Sequence, residues 1–164
     1  MTTLLFGQDG SGQEPDFRLA GLSLWVSGRQ FPGSNDRWDG NWLNAGVRVE
    51  AIGAVVEAQG PIVRSDDLAS FAQALEKVDR SLDGEARLDC IEPTLSIRLS
   101  CNRRTGQVEI VVSVTPDHMM QQHTFKFSSD QTILRPTISA LGRIIAEYPV
   151  KTADFRPSDG KVNP

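Results

Sequence analysis

The residues best suited to chemistry in this chain are its two histidines, His118 and His123, and its two cysteines, Cys90 and Cys101. A zinc site needs several such ligands at close spacing, and neither histidine has a cysteine or a carboxylate at that spacing. His123 alternates with phenylalanines along a strand-like segment, so we expect it to be a partly buried structural residue. The histidines therefore predict no metal site.

The two cysteines also lack the surroundings that a reaction or a disulfide requires. No general base stands near either thiol in the sequence, which argues against a thiol nucleophile. If residues 86–91 and 95–101 form a hairpin, Cys90 lies opposite Leu95 or Ser96, far from Cys101. A disulfide needs Cα atoms within about 7 Å. We therefore predict two free thiols, with Cys101 as a small core residue.

Two glycine-rich stretches resemble ligand loops but lack the residues that complete them. GQDGSG at residues 7–12 has no following Lys-Ser or Lys-Thr pair and no helical pattern after it, so it is not a phosphate loop. NDRWDG, read as a calcium loop, would place Arg37 and Gly46 where oxygen ligands are needed. The sequence thus predicts a non-enzymatic protein with no catalytic residues, no cofactor and no metal.

The stretch FPGSNDRWDGNWLNAG at residues 31–46 carries two of the three tryptophans. Such a loop is either a structural corner, with Asp, Asn and Gly supplying turns, or a recognition surface, since tryptophan anchors many interfaces. Trp42 directly precedes Leu43 at the start of an alternating strand pattern, whereas Trp38 stands between Arg37 and Asp39. We expect Trp42 to be mainly structural and Trp38 to be available to a partner.

Length and composition favour one soluble globular domain. The chain has 164 residues, of which 39% are hydrophobic and 23% charged, and its formal net charge is -4. The negative charge argues against nucleic-acid binding, and no apolar run approaches the roughly 20 residues that cross a bilayer. The first residues lack a secretory signal pattern. We predict a cytoplasmic protein with a flexible arm (1–14), one α+β domain (15–150) and a flexible tail (151–164).

Hydrophobic periodicity predicts the order of elements in that domain. A strand with a bulge at Gly21 is followed by a hairpin that turns at Gly53, and then by a helix over residues 66–82 with Ser65 as N-cap and Gly84 as its end. Further short alternating segments form an antiparallel meander, and a last helix begins at about residue 132 to 135. The expected fold is an antiparallel sheet of about six or seven strands with two amphipathic helices packed on it.

Several quoted segments resemble one family. They are QFPGSNDRWDGNWLNAGVRVE after a strand, LASFAQAL in a helix, IEPTLSIRL at a strand, and FKFSSDQTILRPTISALGRIIAEYPV. From about Leu22 to Val150 the chain resembles the WapI-type immunity proteins, small bacterial domains named for protecting a cell from a contact-delivered toxin. The resemblance implies an α+β fold, a toxin domain as protein partner, and no catalytic residues to carry over.

The predicted function is therefore non-catalytic binding that holds a toxin domain inactive. The candidate partner-binding residues are Asp36, Trp38, Asp39 and Asn41, with Arg29 and Arg37 as rim charges. One alternative is a small-molecule binding module or an enzyme of unknown reaction, which would need a pocket collecting His123, Glu92 or Asp89. Another is a structural subunit that dimerises through a sheet edge. The sequence leaves open whether the protein is a monomer or a homodimer.

Overall fold

The structure, a computed structural model, describes residues 13–154 of the chain. Most of the predicted arm (1–14) and most of the predicted tail (151–164) lie outside the described residues. The described part of the tail does not run free, because Lys151 and Ala153 are hydrogen-bonded to the loop that precedes residue 42. The folded part of the chain therefore extends past Val150.

Residues 13–154 form eight strands and two α-helices. In chain order they are β1 (Phe17–Leu19), β2 (Leu22–Arg29), β3 (Trp42–Ala51), β4 (Ala54–Arg64), α1 (Ser65–Ser81), β5 (Gly84–Asp89), β6 (Leu95–Asn102), β7 (Gln107–Val114), β8 (His123–Asp130) and α2 (Leu134–Glu147). A short 3-10 turn, Gln131–Ile133, leads into α2. The predicted α+β class is confirmed.

The strands belong to two antiparallel sheets, where the sequence predicted one sheet of six or seven strands. The first sheet has the order β1-β2-β3-β4 and the second the order β5-β6-β7-β8. Helix α1 connects the two sheets, and β4 and β5, which do not pair with each other, are both edge strands. Alternating side chains from both sheets meet the buried faces of both helices in one hydrophobic core.

The first hairpin replaces the predicted single strand with a bulge at Gly21. β1 and β2 pair through a two-residue turn at Ala20 and Gly21, and Ala20 adopts a positive φ of 51°. A Cβ at Gly21 would overlap the backbone oxygen of Glu50, so glycine is required there by close approach. The bulge of this sheet lies further along, between Val26 and Gly28.

Helix α1 follows the predicted periodicity but has different ends. Its buried face carries Leu68, Phe71, Ala72, Leu75 and Val78, as the sequence predicts. Ser65 is the first helical residue and not the N-cap, and its hydroxyl donates to Oδ1 of Asn41 at 2.8 Å. The helix ends with Leu82 in the left-handed conformation (φ 54°), two residues before the predicted Gly84. The packing face was readable from the sequence, and the caps were not.

Helix α2 begins inside the predicted window. It starts at Leu134, which leaves Pro136 in the first turn, where its missing N–H costs no hydrogen bond. Leu134, Leu141 and Ile144 are buried, and the helix ends at Glu147, before Pro149. Neither α1 nor α2, the helices of the described range, has the length and apolar content needed to cross a membrane.

The β5–β6 register confirms the predicted hairpin and separates the two thiols. Asp89 pairs with Ser96, which puts Cys90 next to Leu95, whereas Cys101 pairs with Gly84 at the other end of β5. Six residues of strand separate these positions, a span of about 20 Å at roughly 3.3 Å per residue. Both cysteines are free.

We expect thiol titration of the denatured, unreduced protein to count two free groups per chain. In the native protein, burial raises the pKa of the Cys90 thiol to about 12, with the nearby carboxylates of Asp67 and Asp89 adding to the effect. Cys90 should therefore stay protonated at pH 7 and be alkylated much more slowly before unfolding than after it. A denatured count of zero would contradict the β5–β6 register.

Candidate functional site

The loop between β2 and β3 presents one tryptophan to solvent and keeps the other against the fold. Trp38 is 59% exposed, whereas Trp42, the first residue of β3, is half-buried. Phe31, at the start of the loop, is also exposed. This is the order of exposure that the sequence predicts for the two tryptophans.

Asp36 organises the tip of this loop. Its Oδ1 accepts hydrogen bonds from the backbone N–H groups of Trp38 at 2.7 Å and Asp39 at 2.8 Å, and its Oδ2 accepts from the Ser34 hydroxyl. The Ser34 bond, followed by the backbone bonds, lowers the pKa of Asp36 below its usual range. This predicted partner-binding carboxylate is therefore engaged inside its own loop, where it fixes the backbone on which Trp38 stands.

Asn41 lies inside the protein, and its prediction as a partner contact is wrong. It is 0% exposed, and all of its side-chain hydrogen-bonding groups are used. Nδ2 donates to the carbonyl oxygens of Arg37 (3.0 Å) and Lys151 (2.9 Å), and Oδ1 accepts from the Ser65 hydroxyl (2.8 Å) and the Lys151 N–H (2.8 Å). Asn41 therefore joins the loop, the start of α1 and the segment after α2.

The segment after α2 holds the loop from the other side. The N–H of Arg37 donates to the carbonyl oxygen of Ala153 at 2.7 Å, and the Lys151 ammonium donates to the carbonyl oxygen of Ser34. The packing is tight at Gly40, where a Cβ would stand 2.7 Å from Cδ of Lys151. The position of the loop therefore depends on residues more than 100 positions later in the chain.

Arg29, predicted as a rim charge, supports the loop from beneath. Its guanidinium donates to the carbonyl oxygens of Gly40 and Pro149, the latter at 2.6 Å. It also lies over the Tyr148 ring, 5.9 Å from the centroid. Because its guanidinium is engaged in these contacts, Arg29 connects the loop to the end of α2.

A buried arginine that the sequence analysis missed stands between the two tryptophans. Arg64 is 3% exposed, and its guanidinium lies 5.7 Å from the ring centroid of Trp38 and 5.6 Å from that of Trp42. It makes two hydrogen bonds to the carboxylate of Asp66, at 3.0 and 2.9 Å, and donates to the Arg37 carbonyl oxygen at 2.7 Å. Arg64 ends an alternating strand pattern and precedes Asp66 by two residues. This spacing was the one feature of the sequence from which its burial and its pairing could have been predicted.

Two charged side chains at the loop tip form no ion pair within the described residues. Arg37 and Asp39 are exposed, and within residues 13–154 neither side chain takes part in an ion pair or a hydrogen bond. The Arg37 guanidinium rests 5.5 Å from the Trp38 ring centroid. We call Arg37, Trp38 and Asp39 the Trp38 surface. It is a rigid indole flanked by one cation and one anion, a combination suited to binding another protein.

A groove opens beside Trp42. It has a volume of about 360 Å³ and lies between β4 and the turn that joins β5 to β6. Trp42, Gln30, Gln59 and Pro61 line one side, and Glu92 and Thr94 line the other. Of the residues expected to converge in a catalytic pocket, Glu92 lines this groove and His123 and Asp89 do not. His123 instead lies at the start of β8, half-buried.

Asp67, in the first turn of α1, is half-buried, with its Oδ2 shielded from solvent. Among the described residues its Oδ2 has no hydrogen-bond partner. Burial, followed by the negative charge of Asp66, raises its pKa from 3.8 to about 6, against the opposing influence of Arg64. The positive end of the helix dipole favours the anion at this position, but the loss of solvation outweighs it.

We expect Asp67→Asn to stabilise the protein at pH 7. With a pKa of about 6 in the fold and 3.8 when unfolded, the wild type loses stability as pH rises from about 4 to 6 and stays constant above. Two pKa units correspond to about 3 kcal/mol, which partial exposure reduces to about 1–2 kcal/mol. Urea unfolding at pH 4 and pH 7 measures this difference in the free energy of unfolding between the variant and the wild type.

The exposed Asp89→Asn is the matched control and should change the unfolding free energy by less than about 0.5 kcal/mol at both pH values. The Asp67 variant and the wild type should converge at pH 4, where the carboxyl group is protonated. A variant less stable than the wild type at pH 7 would show that the anion is compensated in the fold.

Fold and site together define a small α+β protein built to present a rigid loop at its surface. The chain belongs to the Immunity protein WapI-like family, whose model matches residues 16–149. The match covers most of the chain, including the loop, both sheets and both helices. It confirms the resemblance seen in the sequence.

A chain of a solved complex, the CdiA-CT/CdiI toxin and immunity complex from Enterobacter cloacae, is similar in part. The identity is 11%, the alignment covers 62% of this chain and 89% of that one, and the TM-score is 0.39. A likeness at this level does not locate a binding surface. A search of curated proteins finds no match.

Proposed function

We propose that this protein is an immunity protein that binds a toxin domain in the cytoplasm and holds it inactive without catalysis. The observation that carries the proposal is the membership of the WapI-like family. Within that function we assign the contact to the Trp38 surface, because it combines an exposed aromatic anchor with two unpaired charges.

The rigidity of the loop supports this assignment. Binding costs free energy when loops and side chains must be ordered, and a preorganised surface reduces that cost. Here the backbone of residues 36–39 is already fixed by Asp36, Asn41 and the Ala153 carbonyl. The Arg64 guanidinium supports the Trp38 ring from within the protein. Trp38 can therefore enter a pocket of a partner with little further loss of freedom.

The direct test is protection from a toxin. Reading frames that neighbour this gene would be screened for one whose product arrests growth. That product would be induced in cells with and without this chain, and the purified pair would be titrated by calorimetry. We expect growth to recover when the chain is present and a one-to-one complex to form. Equal growth arrest with and without the chain, together with no heat of binding, would refute the proposal.

The alternative of a small-molecule site or an enzyme has weaker support. It needed several polar groups converging in a pocket, and only Glu92 of the three expected residues lines the groove beside Trp42. The described residues hold no cluster of three or more His, Cys, Asp or Glu side chains placed to bind a metal ion. The alternative of a structural subunit that dimerises is supported only by the presence of edge strands, which are β1 and β4 in the first sheet and β5 and β8 in the second.

A further inference from the structure

The groove beside Trp42 has a composition that selects one kind of occupant. Glu92 is the one charged side chain among its lining residues, and within residues 13–154 its carboxylate takes part in no ion pair or hydrogen bond. The side-chain amides of Gln30 and Gln59 are likewise unpaired in the described part of the chain. The groove therefore offers a carboxylate and two amide oxygens as free acceptors.

The remaining wall of the groove is apolar. Trp42 and Pro61 line it together with Ile62, and they form a surface against which an alkyl chain can pack. A lysine or arginine side chain has this pairing of an aliphatic stem and a cationic head. Its stem would lie along Trp42 and Pro61, and its head would reach Glu92.

The local charges do not oppose a cation in this position. Arg64, which lies over the Trp42 ring, is neutralised by the two hydrogen bonds it makes to Asp66. The arginine is also 3% exposed, so it does not compete for solvent-facing acceptors. An indole beside an unpaired carboxylate is a favourable site for a cationic group.

We propose that this groove is a second contact site for the protein partner and takes a lysine or arginine side chain of that partner at Glu92. The groove and the Trp38 surface share one buried neighbour, because Arg64 lies against both tryptophans and Trp42 lines the groove. The partner would thus touch both sheets of the protein. That the partner is a toxin rests on the proposed function, whereas the preference for a cation rests on the groove alone.

The preference for a cation can be tested on the protein without a partner. N-acetyl-arginine amide and its neutral isostere, N-acetyl-citrulline amide, would each be titrated while NMR follows the Trp42 indole N–H and the Gln30 and Gln59 amides. We expect saturable shifts with the arginine compound, and an apparent affinity about tenfold weaker in Glu92→Gln. Equal shifts with both compounds, or no shifts at these groups, would overturn the proposal.

The same variant tests the contact in the complex. Glu92→Gln should raise the Kd for the toxin domain about tenfold, and Glu92→Lys about a hundredfold or more, since reversal adds repulsion. Glu109→Gln, an equal change of charge on an exposed residue of β7 near the other end of the second sheet, should stay within about twofold. Loss of binding in Trp38→Ala with no loss in Glu92→Gln would leave the proposed function standing and refute this site.

Discussion

Replacing Trp38 with alanine is expected to weaken the toxin complex by about 2 kcal/mol or more, which raises the Kd about 30-fold or more. The indole is 59% exposed in the free protein, and it stands on a loop whose backbone is already fixed. Its burial by a partner would therefore contribute most of its apolar area to binding. Calorimetric titration of the purified pair measures the change.

The same substitution should leave the free energy of unfolding within about 1 kcal/mol of wild type. Arg64, which loses a ring contact, keeps its two hydrogen bonds to Asp66 and its bond to the Arg37 carbonyl. Urea unfolding of the free variant separates this result from a folding defect.

Ile52→Ala is the matched control for lost apolar surface. Ile52 is fully exposed, and it lies in the turn between β3 and β4, at the far end of the hairpin from Trp42. Ten residues of strand put it about 30 Å away. Its replacement should leave Kd unchanged within about twofold. Equal losses in both variants, or none in Trp38→Ala, would move the partner contact away from the Trp38 surface.

The sequence predicted the elements whose pattern repeats along a single segment. The period of α1, the start of α2 and the β5–β6 register were all readable, because each depends on neighbours within a few residues. The division of the strands into two sheets could not be predicted from the sequence. Alternation marks a strand and its buried face, but it does not say which strand lies beside it.

The supports of the candidate site were missed for a related reason. Asn41 looks like a turn residue, and an asparagine in a loop is usually exposed. Its burial depends on Lys151, 110 positions later, and on Ser65, 24 positions later. Arg64 likewise reads as a surface charge, and only the meeting of two tryptophans and Asp66 makes its burial possible. The pattern of residues around a position does not predict its contacts with residues so far along the chain.

Asn41→Ala should cost about 2–4 kcal/mol of unfolding free energy, because it removes four side-chain hydrogen bonds at a fully buried position. The loss leaves the carbonyl and N–H of Lys151 and the hydroxyl of Ser65 without this partner. The loop tip should also loosen, with faster amide exchange at Trp38 and Asp39. Since a looser loop must be ordered on binding, we expect the Kd for the toxin domain to rise about tenfold.

Leu75→Ala separates loop positioning from general loss of stability. Leu75 is 0% exposed on the buried face of α1, and its truncation should cost about 2–5 kcal/mol through the cavity it leaves. It makes no side-chain hydrogen bond to the loop, so amide exchange at Trp38 and Asp39 should rise only as far as global unfolding requires. Binding measured on the folded fraction should match wild type within about twofold. If Asn41→Ala binds as tightly as Leu75→Ala, Asn41 stabilises the fold alone, and the tie between the loop and Lys151 has no part in recognition.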